Sequence, residues 1–341
     1  DNDQISDFHD ETLQLLAHVL HMDYKDCKRA LYSSNLHQHH HHTNNINNNI
    51  NNINNINTSS SPLQHMMTHQ QYVQFCDLIK QRAHTHQPLQ YLTGETYFYG
   101  RCFHVNSHVL IPRMDSEVLV DSTLHHIRNH MSDSIVRVLD VGTGSGCLII
   151  SLLCELMHDT DHRMGTSGVA LDISHDALQV ARHNANRLLF SSSSSSLNHK
   201  NFDESFYGKY SEEYEYDDEY DEYDDGEKRK GNKVELQFVQ QDLFKIGEQQ
   251  LEELGSFNVI VSNPPYIASS VIPQLSREVR EHEPVSALDG GHDGLDFYRK
   301  LVQLCDETAL LDDGGLLALE IGYDQSHDVR QLILESQKLR L

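Results

Sequence analysis

The chain contains no run of 18 or more apolar residues, so no transmembrane helix is expected. It has no Gly-X-Y period and no heptad seam, which excludes collagen and coiled coil. It is short of basic residues: 26 Lys and Arg stand against 51 Asp and Glu, a formal charge of −25. That balance argues against a broad basic face for nucleic acid. None of the six cysteines, Cys27, Cys76, Cys102, Cys147, Cys154 and Cys305, forms a C-x-x-C pair. Scattered through apolar segments, they read as reduced, buried thiols of a cytosolic or organelle-matrix protein. The first residue is not Met and no signal-peptide pattern follows, which suits a processed or trimmed form.

What is present is 341 residues, 38% of them hydrophobic, enough to build one large domain or two smaller ones. Two low-complexity tracts interrupt the chain. The first, residues 37–61, is a His cluster followed by Asn-rich and then Ser sequence. Asn favours turns over helix interiors, so disorder is expected despite the spaced isoleucines. His39–His42 lack a rigid frame that would make them a metal site, and no metal is expected elsewhere. The second tract, 191–232, runs from six serines into alternating Tyr and acid. Between Asp203 and Glu227 it holds 13 acids and one base, Lys209, so much of the charge sits in an expected disordered insertion.

The remainder divides in three. Residues 5–36 and 63–90 carry helical periodicity, with Leu13, Leu16, Ala17 and Leu20, then Val73, Phe75, Leu78 and Ile79, on the expected apolar faces. Together they suggest a small helical domain over 1–90, split by the Asn tract. Residues 91–120, with Tyr97, Phe98, Tyr99, Phe103, Val105 and Val109-Leu110-Ile111, read as a β-hairpin linker. From 121 to 341 strands and helices alternate: strands near 136–141, 169–172, 236–239, 257–262 and 316–321, and helices near 147–156, 174–189 and 297–311. That alternation predicts an α/β fold whose parallel sheet is covered on both faces.

Chemistry concentrates where these strands end. Asp140-Val141-Gly142-Thr143-Gly144-Ser145-Gly146-Cys147 closes the first strand and opens a helix. Its glycines allow close approach of a ligand, and free N–H groups are expected to face it. The G-x-G-x-G spacing differs from the dinucleotide fingerprint, and it resembles motif I of the Rossmann-like methyltransferases, which bind S-adenosylmethionine. Asp172 ends the second strand, where an acid can accept from both ribose hydroxyls. Asp242 follows the third and suits an adenine amino group, with Leu243 or Phe244 against the ring. Asn263-Pro264-Pro265-Tyr266 follows the fourth. Its prolines pin the backbone and remove two donors. The Asn263 side-chain carbonyl and the Pro264 carbonyl then make a pair of acceptors for a planar NH2 group, and Tyr266 can pack on that group's face.

With these motifs the chain resembles the HemK/PrmC family, the protein-(glutamine-N5) methyltransferases that modify peptide-chain release factors. Gln87–Glu95 resembles that family's interdomain segment, Val109–Glu117 its I-P-R-P-[ED]-T-E stretch, and Ala287–Tyr298 its A-L-x-G-G-x-D-G-L-x-x-Y segment. Met114 stands where the family usually has Pro. The resemblance implies a Rossmann-like class I methyltransferase sheet with a small helical N-terminal domain joined by a β-hairpin. The helical domain would bind the release factor. Asp140, Gly142, Thr143, Gly144, Ser145, Gly146, Asp172, Asp242, Leu243 and Asn263 would bind S-adenosylmethionine. Asn263, Pro264, Pro265 and Tyr266 would hold the glutamine of a Gly-Gly-Gln loop, with Asn263, Pro264 and Tyr266 catalytic. It further implies a class I release factor as partner, no direct nucleic-acid or membrane contact, a monomer, and a mitochondrial location, otherwise cytoplasmic. The family fold continues beyond Leu341 with an antiparallel strand pair, and without it the sheet would have five strands and an uncovered edge. Two other readings remain compatible with the residues: a DNA or RNA amino-methyltransferase, since adenine N6 is a similar NH2 group, and a non-catalytic homologue that binds the cofactor.

Overall fold

The computed structural model describes residues 2–29, 67–131, 135–157, 165–190 and 234–341. The two low-complexity tracts, and residues 30–36 and 63–66 of the expected helices, lie outside the described residues. The chain forms two compact units that divide between Thr93 and Gly94.

The first unit is helical. Helix α1 (Asn2–Leu20) is followed by a helical turn over 24–29, then α2 (His69–Lys80), which runs on into a π-turn at Gln81–Thr85, and α3 (Leu89–Thr93). Thr68 starts α2 with a capping box: its hydroxyl accepts from the Gln71 N–H at 3.2 Å and its own N–H donates to Gln71 Oε1 at 2.9 Å. The core gathers Leu15, Leu16, Ala17, Val19, Cys27 and Phe75. Leu13 is buried as expected and Leu20 only partly so, while Leu15 and Val19 widen the apolar stripe. Val73 is exposed, contrary to the expected face. It lies two residues from Phe75, on nearly the opposite side of the helix, whereas Leu78 and Ile79, three and four residues on, pack beside Phe75. Arg82 grips Glu11 with both arms of its guanidinium, at 2.8 and 2.7 Å, and ties the end of α2 to α1.

The second unit opens with the hairpin β1 (Glu95–Phe98) and β2 (Arg101–His104), paired Glu95 to His104 and Phe98 to Arg101. Tyr99 and Gly100 form the two-residue turn with φ +49° and +71°, the geometry that matches strand twist. A tyrosine holds this left-handed position because α4 (Glu117–His130) restrains it twice. Its N–H donates to Glu117 Oε1 at 2.7 Å and its hydroxyl to Asp121 at 2.6 Å. Phe98 and Phe103 are buried edge to face in the main core, so the hairpin is part of this unit rather than a linker between two. Tyr97 points to solvent. Val109-Leu110-Ile111 form no strand; Val109 and Ile111 are apolar because the loop is buried.

Five parallel strands follow: β3 (Val136–Val141), β4 (Thr166–Asp172), β5 (Val234–Gln240), β6 (Phe257–Ser262) and β7 (Leu311–Leu319), in the spatial order β5-β4-β3-β6-β7. Both faces of each inner strand are apolar. Val136 and Val138 of β3 join α4, α5 (Cys147–Met157) and α6 (His175–Leu188) on one side. Leu139 and Val141 join α7 (Glu248–Leu254) and, beyond the short helix α8 (Arg277–His282), α9 (Asp296–Glu307) on the other. This double burial explains the near-continuous Val, Ile and Leu of the strands. The topology is that of a Rossmann-like class I methyltransferase.

Strands β4 and β5 each start earlier than expected, at Thr166 and Val234, and the boundaries around β7 differ most. Helix α9 ends at Glu307, not 311, because Thr308 turns extended and its hydroxyl donates to the Leu304 carbonyl at 2.6 Å while accepting the Leu310 N–H at 3.1 Å. Strand β7 therefore starts at Leu311, opposite Phe257, and absorbs Asp312–Gly315 as an irregularity before Leu316 pairs with Val259. Asp-Asp-Gly-Gly reads as a turn in sequence, which hid the strand's first half. Helix α10 (Ser326–Glu335) follows β7.

Phe103→Ala should destabilise the second unit by about 3–5 kcal/mol, the cost of a large buried cavity. Residue-resolved hydrogen exchange should show that loss across β3–β7 and not in α1–α3. A loss confined to the helical unit would contradict the placement of the hairpin.

Candidate active site

The carboxyl ends of β3, β4, β5 and β6 open into one cleft, walled also by the loop over 108–116, by Pro284–Ala287 and by Phe297. Gly142, Thr143, Gly144, Ser145, Asp172, Asp242, Leu243, Asn263 and Pro265 line it; Asp140, Gly146, Pro264 and Tyr266 do not.

Asp140 is wholly buried beneath the Gly turn. Its Oδ2 accepts the Thr143 hydroxyl at 2.7 Å, and its Oδ1 has no partner. Burial first, and the Asp172 charge last, push its pKa up to about 7. Asp140 thus supports the turn instead of touching a ligand, which corrects the sequence reading. Nor does the turn offer a row of free donors. The Gly142 and Thr143 N–H groups both donate to the Leu171 carbonyl, at 2.8 and 3.1 Å, the Gly144 N–H to Asp172 Oδ2 at 2.9 Å, and the Gly146 N–H to the Thr143 carbonyl at 2.8 Å. A turn with these four N–H groups spent, beside carboxylates, is a poor phosphate cradle and suits a ligand without phosphate.

Two of its glycines have different reasons. Gly144 has φ +54° and a Cβ there would meet nothing within 4 Å, so it keeps cleft space open. Gly146 has φ +79°, and a Cβ would come within 2.7 Å of Ile150 Cδ1 and 3.2 Å of the Ala181 Cβ. It serves the packing of α5 on α6 and not the ligand, a second correction.

Asp172 is fixed from both sides, by the Gly144 N–H and by the Ser174 N–H at 2.9 Å each. Burial raises its pKa. Asp242 caps the turn over Leu243–Lys245 through the Phe244 N–H at 3.0 Å and pairs with Lys245 at 2.8 Å, whose hydrogen bond lowers its pKa. Part of its accepting capacity is therefore taken. Phe244 stands edge-on to Phe297 with centroids 4.9 Å apart, and together they form an aromatic wall. Phe297 lies in a segment whose pattern was noted, yet nothing in the sequence marked it as a cleft residue.

The Asn-Pro-Pro-Tyr turn is fixed by partners from far along the chain. Ser262, just before it, donates its buried hydroxyl to the Val141 carbonyl at 2.6 Å and locks the end of β6 to that of β3. Asn263 Nδ2 donates to Ser116 Oγ at 3.0 Å. Pro264 is buried, and among the described residues no N–H occupies its carbonyl. Tyr266 packs against Leu295, Tyr298 and Val329 and is not among the residues that line the cleft, where stacking on a planar substrate was expected of it. Its carbonyl accepts from Gln325 Nε2 at 2.9 Å, and Gln325 also bonds the Gly294 carbonyl and the Gly322 N–H. Gly290 lies so close behind that a Cβ would sit 2.7 Å from the Pro265 carbonyl oxygen. At the rim Arg113 pairs with the buried Glu283 at 2.6 Å. Burial raises the pKa of Glu283 even so. Ser116, Gln325 and Phe297 were not foreseen as site residues, since their roles depend on tertiary neighbours.

The open space at Gly144, the fixed Asp172 and the aromatic wall fit a nucleoside that carries no phosphate. Fold and cleft together define an S-adenosylmethionine-dependent methyltransferase. No family model matches the chain. Among curated proteins, it is 32% identical to the release factor glutamine methyltransferase of Bacillus cereus over 73% of this chain and 68% of that one. It is 34% identical to that of Caulobacter vibrioides over 75% and 68%. It is also 32% identical to a bifunctional methyltransferase of Rickettsia felis over 75% of this chain, but spans only 42% of that longer protein. The chain belongs to the release factor glutamine methyltransferase family.

Two outcomes follow from this geometry. Gly144→Ala should cost about 1–2 kcal/mol of stability through backbone strain and weaken cofactor binding by about tenfold or more. Gly146→Ala should reverse that order, losing stability first; calorimetric titration and denaturant unfolding separate the two, and equal effects of both would contradict the division. A buried carboxyl with a raised pKa holds more protons folded than unfolded between pH 3.8 and about 7, so its contribution to stability falls as pH rises through that window. Asp140→Asn should therefore flatten the decline of unfolding free energy from pH 4 to pH 8, and an unchanged slope would show that Asp140 does not titrate there.

Proposed function

We propose that this protein methylates the side-chain amide nitrogen, N5, of the glutamine in the Gly-Gly-Gln loop of a class I release factor. The observation that carries this reading is Asn263, which lines the cleft and is held there by its NH2 group. S-adenosylmethionine supplies a sulfonium methyl. The residues of the Gly turn, with Asp172, Asp242, Leu243 and the Phe244–Phe297 wall, hold its nucleoside. The Asn263 Oδ1 and the Pro264 carbonyl accept the two N–H groups of the target amide. That fixes the nitrogen in line with the methyl and favours positive charge as the N–C bond forms and the S–C bond breaks. One amide proton then leaves to water. An amide nitrogen is a weak nucleophile because its lone pair is delocalised, so positioning supplies much of the acceleration. Tyr266, Gly146 and Asp140 act from behind, by fixing the two turns.

The helical unit over residues 1–90 is assigned to gripping the release factor, and the partner to a mitochondrial factor. The Asn- and Ser-rich tracts and the family resemblance support that assignment. Among the described residues no helix is long and apolar enough to cross a membrane.

With labelled S-adenosylmethionine and a recombinant mitochondrial class I release factor, label should appear on the wild-type factor and be absent when its loop glutamine is alanine. Asn263→Ala should slow transfer about 10²–10³-fold, the usual cost of one preorganised group at a developing charge. Label on the alanine factor, or on nucleic acid in competition, would overturn the reading.

A further inference from the structure

Behind Asn263 lies a carboxyl group that the reading above leaves without a task. Glu320 follows β7 and is half-buried; its N–H donates to the Ser262 carbonyl at 3.0 Å, beside Asn263, and its carboxylate lies near enough to Ser116 and Asn263 for both to stabilise its charged form. Its Oε2 is buried with no partner. Ser116 is nearly fully buried and stands at the N-cap of α4, where a serine hydroxyl ordinarily caps the helix. Here it makes no capping bond and instead takes the Asn263 Nδ2 at 3.0 Å. Two side chains from distant parts of the chain, Ser116 and Glu320, thus flank one carboxamide.

We infer that Glu320, with Ser116, is a positioning residue that sets which end of the Asn263 carboxamide faces the substrate. The inference rests on the proposed transfer to an amide nitrogen. A carboxamide is nearly symmetric in shape, and its oxygen and nitrogen trade places with a half-turn. For an incoming NH2 group only one orientation works: oxygen forward, nitrogen back. An ionised carboxylate only accepts hydrogen bonds. Placed behind Asn263, it admits the NH2 end and repels the oxygen end. Ser116 closes the arrangement by accepting from Nδ2, which leaves its own proton free to turn toward Glu320. The oxygen is left toward the cleft, where no hydrogen bond within the described residues occupies it.

The charged groups around Glu320 fit this task. Asp115, Arg113, Tyr266, Tyr298 and Cys147 are the titratable neighbours with which it interacts. Burial raises its pKa, while Ser116 and Asn263 counter that rise by bonding the charged form.

Glu320→Gln tests the inference because it keeps shape and removes only the obligation to accept. A glutamine can turn either its oxygen or its NH2 toward Asn263, so the carboxamide loses its set direction. In the full-length protein, with labelled S-adenosylmethionine and the release factor, kcat should fall about tenfold or more. KM for the cofactor and the thermal midpoint should stay near wild type. In an Asn263→Ala background the same change should add no further loss, since Glu320 acts only through Asn263. An Asn263→Ala enzyme of wild-type activity would sink the amide reading itself. Loss in Asn263→Ala with wild-type kcat in Glu320→Gln would sink the positioning role alone. So would a Glu320→Gln loss that persists undiminished in the double variant, or that appears as weakened cofactor binding. Should Glu320→Gln fail to fold, Ser116→Ala probes the same carboxamide: lowered kcat at constant cofactor KM supports the role, and unchanged kcat overturns it.

Discussion

The site depends on the alignment of two adjacent parallel strands. β3 and β6 end side by side at the middle of the sheet, and the buried Ser262 hydroxyl ties them at the Val141 carbonyl. From the end of β3 comes the Gly turn; from the end of β6 comes the Asn-Pro-Pro-Tyr turn. The chain leaves β3 toward β4 and β5 and returns to the other side at β6. Loops on the two sides diverge at that point and leave a crevice, as in other doubly wound sheets. In the proposed reaction strand order brings methyl donor and acceptor together, and the sheet's rigidity fixes the distance between their turns.

Around this frame the protein uses buried polar groups in two ways. Some satisfy backbone and make turns stiff: Asp172 takes two N–H groups, and Gln325 ties the Tyr266 carbonyl to two neighbouring segments. Others are left partly unsatisfied. Asp140 Oδ1, Glu283 Oε2 and Glu320 Oε2 are buried carboxyl oxygens with no partner. Each costs stability, and burial raises all three pKa values. All three stand near the turns or the cleft rim, where an ordinary core would hold apolar side chains. Sites that must present acceptors to a substrate carry this kind of cost.

Much of this was legible in the sequence. The Gly turn, Asp172 and Asn263 announce themselves because each follows a short apolar run, and strand ends are where such a fold places its chemistry. Strand β6 was read to the residue. What stayed hidden was tertiary. Ser116 is 147 residues from Asn263 along the chain, and a serine before an amphipathic helix reads as a cap. Glu320 follows an apolar strand that was itself misplaced because Asp312–Gly315 resembles a turn. Asp140 and Gly146 were recognised as part of a ligand-binding pattern, yet burial and packing give them supporting roles. A motif read in sequence does not separate residues that touch a ligand from residues that hold those that do.

The account turns on the direction of one side-chain amide. A neutron crystal structure of the deuterated protein would locate it directly. The account predicts two deuterons on the Asn263 atom that faces Ser116 and Glu320, none on the atom that faces the cleft, and no deuteron on Glu320. Deuterons on the cleft-facing atom would leave the substrate amide without its acceptor and would contradict both the positioning role and the proposed chemistry.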